Sequence, residues 1–119
     1  MSTNDFLKSA VNALVTTCYR ASVDAGWHDK PREKGTLIAL IHSEISEALE
    51  GERKDLMDDH LPHRKMAEVE MADAVIRIAD YCGAQGYDLG GAIIEKLAYN
   101  ANRLDHKREV RAAAGGKKF

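Results

Sequence analysis

EISEALEGERKDLMDDHLPHRKMAEVEMAD, residues 44 to 73, opens with two acids three apart, Glu44 and Glu47, and closes with two more, Glu70 and Asp73. Side chains three apart share a helix face, so each end of the stretch offers two carboxylates in one direction. Glu44 and Asp73 lie as far either side of a common midpoint as Glu47 and Glu70 do, and that midpoint falls between Asp58 and Asp59. The intervening DLMDDHLPH has the acids and the proline of a chain reversal. An antiparallel helix pair with four facing carboxylates is the expectation. The acids interrupt apolar stripes: Leu37, Leu40 and Ile41 lead into Glu44 and Glu47 and resume at Ala48, while Met66 and Val69 lead into Glu70 and Asp73 before Ile76.

Four carboxylates held together repel one another and resist desolvation, so a cation is the natural filler. All-oxygen ligation by Glu44, Glu47, Glu70 and Asp73 points to a hard ion, Mg²⁺ with Mn²⁺ as a substitute, and away from Zn²⁺. The competing reading is a pair of solvated helix faces in a chain with 30% charged residues. A di-iron bundle needs Glu-x-x-His pairs, and no glutamate here has a histidine three residues later.

Glu-x-x-Glu, a spacer of this order and Glu-x-x-Asp resemble the signature of the MazG-like, all-α nucleoside triphosphate pyrophosphohydrolases, which include dimeric dUTPases and phosphoribosyl-ATP pyrophosphohydrolases. Lys96, Asn100 and Arg103, in EKLAYNANR, match the family's downstream Lys, Asn and Arg, so the resemblance covers about Leu37 to Arg103. It implies a Mg²⁺-dependent hydrolase that converts a nucleoside triphosphate, deoxynucleotides included, to the monophosphate and pyrophosphate. The four acids would be the metal ligands and catalytic residues, and the helix-four trio would bind the triphosphate or sugar. It also implies a homodimer or homotetramer. The alternative from a different class is a non-enzymatic helical interaction or regulatory module with a cation-bound acidic layer.

The 119 residues suit a single domain, here residues 1–113 with a flexible tail at 114–119, and are few for enclosing a nucleotide alone. A net charge of −2 provides no basic field for nucleic acid. No apolar run reaches a membrane span and the amino terminus lacks signal-peptide character, so a cytoplasmic protein without membrane or nucleic-acid partners is expected. Cys18 and Cys82 lack metal-site spacing and read as small core residues.

The fold class is all-α, a bundle of four main helices. Helix one spans about Thr3 to Asp24. Helix two starts near Thr36 as N-cap and runs toward Lys54. Helix three starts between Pro62 and Met66 and reaches about Tyr81, with Ala72, Val75 and Ile78 as a second buried face. Helix four starts after Asp88 as N-cap, includes Leu104 and fades near Ala113. Trp27 and His28 sit in the Gly- and Pro-broken loop after helix one. Trp27 is either a surface that stacks on a nucleobase, as aromatic residues in the corresponding loop of related enzymes do, or the loop's anchor. His28 is a second substrate-contact candidate against a solvated loop histidine. Arg77, one turn past Asp73, either meets a phosphate or pairs with an acid.

Overall fold

A computed structural model describes residues 1–103 and 108–116. Among these the chain is helical, with α1 (Thr3–Asp24), α2 (Lys34–Lys54), α3 (Met66–Gln85), α4 (Leu89–Asn102) and α5 (Arg108–Ala112), and no strand beyond an isolated antiparallel bridge between Met57 and Lys65. Leu104 and the tail residues 117–119 lie outside the described residues. The chain groups into two compact units, one of Ala13–Tyr87 and one of Met1–Asn12 with Asp88 onward. No described helix is long and apolar enough to cross a membrane.

In the Ala13–Tyr87 unit, α1 stops at a turn in which Trp27 N donates to Ser22 O, with Gly26 at φ 88°. That backbone conformation is costly for any residue with a Cβ. α2 begins earlier than Thr36, because the Glu33 carboxylate takes the cap by accepting from Gly35 N and Thr36 N, both at 2.7 Å. These bonds also lower the Glu33 pKa, with the Thr36 hydroxyl contributing most.

α2 and α3 lie against each other, closest where Gly51 meets Met66 and Ala67. Ala48, Gly51, Ala67, Ala74 and Ala79 are buried, and a Cβ at Gly51 would come within 3.0 Å of Met66 Cβ and Ala67 N. Short side chains let the helices approach closely, and this brings the next residues along, Glu47 and Glu70, to the same level. The connection pairs Leu56 O with Met66 N and Asp58 N with Arg64 O, so it is centred on Leu61 and not on Asp58 and Asp59. Asp58 is buried and its Oδ2 accepts from His60 N and Leu61 N, so it folds the near arm of the loop and the reversal follows it.

α3 continues past Tyr81 to Gln85. Gly83 is retained inside it because a Cβ there would fall 2.5 Å from Tyr19 Cβ, and the helix ends only at Gly86. The second face expected to be buried is open in the single chain. Met71 and Val75 on α3 and Ile38, Ile45 and Leu49 on α2 are among the exposed large hydrophobics, and no large side chain among the described residues is fully buried.

In the second unit, Asp88 caps α4 as expected, accepting from Gly91 N. Asn12 reinforces the cap, donating to Asp88 Oδ1 and accepting from Gly90 N, both at 2.9 Å. α4 ends at Asn102, short of the expected reach toward Ala113, and a separate α5 follows the undescribed residues.

Candidate functional site

Glu44 and Glu47 come from α2 and Glu70 from α3, and one oxygen of each lies within 4.8 Å of the others. Glu44 is only 9% exposed. Glu70 Oε2 is buried with no hydrogen-bond partner among the described residues. The contact with the Glu44 carboxyl, burial, and the contact and repulsion of Glu47 push the Glu70 pKa up to about 8. An ionised Glu70 therefore has an oxygen that no donor among the described residues satisfies, and either a proton or a cation would relieve it. Hard divalent ions take such all-carboxylate sets, and an oxygen from each of three carboxylates at one level is the donor chemistry that suits one.

Asp73 is not one of the three converging side chains. It lies farther along α3, with its pKa raised by burial and by Glu44 against the pull of Arg77, and it also feels Asp58 and Glu47. Asp58 is thus a further acid of this region. It also folds the turn, as its place in the reversal suggests, and its burial and its two backbone hydrogen bonds set it apart from Asp59.

Arg77 pairs with an acid: its Nε donates to Glu44 Oε1 at 3.0 Å. Glu44, Asp73 and Arg77 line one side of a cavity of about 590 Å³ that Thr17, Trp27 and Arg32 also border. Trp27 is 62% exposed, with the Arg32 guanidinium 5.5 Å from its ring centre. Such an exposed ring presents a stacking surface and anchors little. His28 is the loop's anchor. Its Nε2–H donates to Asp80 Oδ1 at 2.8 Å and its ring tilts against Tyr19 at 5.1 Å between centres. Cys18 and Cys82 are buried free thiols whose pKa burial raises, which disfavours the reactive thiolate.

Lys96, Asn100 and Arg103 belong to the other unit and form a group of their own. Arg103 has left the helix, yet its Nη1 reaches Asn100 Oδ1 at 3.5 Å. Tyr99, which sequence reading overlooked, holds the group together, with Lys96 Nζ 4.5 Å and Arg103 Cζ 5.9 Å from its ring centre. An aromatic residue three beyond Lys96 and four before Arg103 was the available signal.

The chain matches no protein-family model, no curated protein and no solved structure.

Proposed function

We propose that the chain is a Mg²⁺-dependent nucleoside triphosphate pyrophosphohydrolase. The observation that carries this reading is the convergence of Glu44, Glu47 and Glu70, one oxygen buried without a partner among the described residues, beside a cavity with two arginines, Arg32 and Arg77, and an exposed indole on its walls. Cavities of about 300–1,000 Å³ suit small ligands, and 590 Å³ falls within that range.

Glu44, Glu47 and Glu70, with Asp73 beside them, would hold the metal. Once bound, it would neutralise phosphate oxygens and make water more acidic. A glutamate carboxylate accepts the water proton, the water oxygen forms a new bond to phosphorus, and the bridging bond between the α and β phosphates breaks, leaving monophosphate and pyrophosphate. Trp27 offers its face to the base, and the His28–Asp80 bond holds the Trp27 loop against α3. In the other unit, Lys96, Asn100 and Arg103 offer two cations and an amide, groups of the kind that bind phosphate and sugar oxygens. Pyrophosphate release from a panel of nucleoside triphosphates, with and without Mg²⁺, tests the reading. Metal-dependent release is expected, and its absence across the panel would leave the interaction module as the better account.

The active species is proposed to be a homodimer or homotetramer in which a second copy covers the apolar faces of α2 and α3. Exposed Ile38, Ile45, Leu49, Met71 and Val75 support this, because single-chain proteins rarely leave so many large apolar side chains in water. Light scattering at micromolar concentration should give a multiple of the chain mass, and a fully active monomer would refute it.

A further inference from the structure

The Arg77–Glu44 pair is asymmetric. Glu44's side chain retains 11% of its exposure and cannot follow a moving partner, whereas that of Arg77 retains 40% and lies along the cavity wall. Its guanidinium donates to Glu44 Oε1 at 3.0 Å, on one of the three carboxylates that converge. Asp73 feels the same positive charge. A divalent ion on these acids and a guanidinium on Glu44 would compete for one carboxylate and repel each other across a few ångströms.

We propose that Arg77 is the built-in counter-ion of the acid site: a divalent cation displaces it from Glu44, and it then pairs with an anionic phosphate in the cavity it already lines. The exchange rests on the divalent-metal reading of the site. It couples the two ligands, since the metal has to break an ion pair to bind alone, and a phosphate supplies the displaced arginine with a new partner. By linkage each ligand then strengthens the other. Arginine suits both states, because its planar fork donates to carboxylate and to phosphate alike.

Arg77→Met keeps much of the stem and removes the charge, while Arg77→Lys keeps the charge and loses the fork. Mn²⁺ binding to the nucleotide-free proteins, followed by electron paramagnetic resonance, should be about 3- to 10-fold tighter in Arg77→Met than in wild type, the range for losing a half-exposed ion pair. At saturating Mn²⁺, a non-hydrolysable α,β-imido nucleoside triphosphate should bind the same variant about 10-fold more weakly, and Arg77→Lys should recover part of that loss. Opposite signs in one variant are the signature of an exchanged counter-ion. A merely structural ion pair would lower the thermal midpoint and weaken both ligands. Equal or weaker Mn²⁺ binding in Arg77→Met overturns the counter-ion role, and unchanged analogue binding overturns the transfer to phosphate. A wild-type protein that binds no Mn²⁺ overturns the metal reading itself.

Discussion

Glu70→Gln is expected to lose about three orders of magnitude in kcat/KM while leaving the metal-free protein more resistant to unfolding than wild type at pH 9. Removing a ligand from a catalytic metal forfeits several kcal/mol of charge stabilisation, and each ~1.4 kcal/mol is a factor of ten. The stability effect follows from the crowding of Glu70 by Glu44 and Glu47, which raises its pKa from 4.5 to about 8. Between those values the folded protein binds a proton that the unfolded chain has released. Wild-type stability without metal should therefore fall as pH rises through this window and level off above it. Glutamine mimics the protonated carboxyl, so the variant should lack that decline. Mg²⁺ should restore wild-type stability at high pH by binding the folded state, with little effect on Glu70→Gln. Thermal midpoints from pH 5 to 9 with and without Mg²⁺, beside steady-state kinetics, measure both. A variant with wild-type kcat/KM and an unchanged metal response would remove Glu70 from the site.

Lys96→Ala and Arg103→Ala should each lower kcat/KM about 10- to 100-fold, the effect of losing one charge-assisted hydrogen bond of roughly 1.5–3 kcal/mol. Both cations lie over the Tyr99 ring, and Arg103 also reaches Asn100, so part of the ordering cost is met before any ligand arrives. Their thermal midpoints and Mn²⁺ affinities should stay near wild type, because neither side chain is among the converging carboxylates. Arg53→Ala, an exposed cation at the end of α2, is the comparison. Equal activity for all three variants would make the α4 group a solvated surface.

Much of the fold was legible because its determinants are local. α1 occupies the stretch that its apolar periodicity marks, and Asp88 caps α4 through an amide three residues away. Glu47 and Glu70 were paired by symmetry about a midpoint at Asp58 and Asp59; the connection is centred on Leu61 instead, and the close approach of the helices at Gly51 is what keeps the two glutamates at one level. Local rules failed at two helix ends. Thr36 was expected to cap α2, and the carboxylate of Glu33, three residues earlier, takes that role with both its oxygens. Helix three was expected to end near Tyr81, yet it runs on through Gly83, which lies against Tyr19.

The sequence by itself determined the helical class, the helix pair and which acids are candidates, because spacing and periodicity are properties of a short stretch of chain. Only the tertiary structure decided that Glu70 carries the unsatisfied oxygen, that Arg77 is bound to Glu44 and that His28 is spent on Asp80. The last two are contacts across 33 and 52 residues. A charged group's role depends on which partner reaches it and how much water remains, and both are set when distant segments pack together.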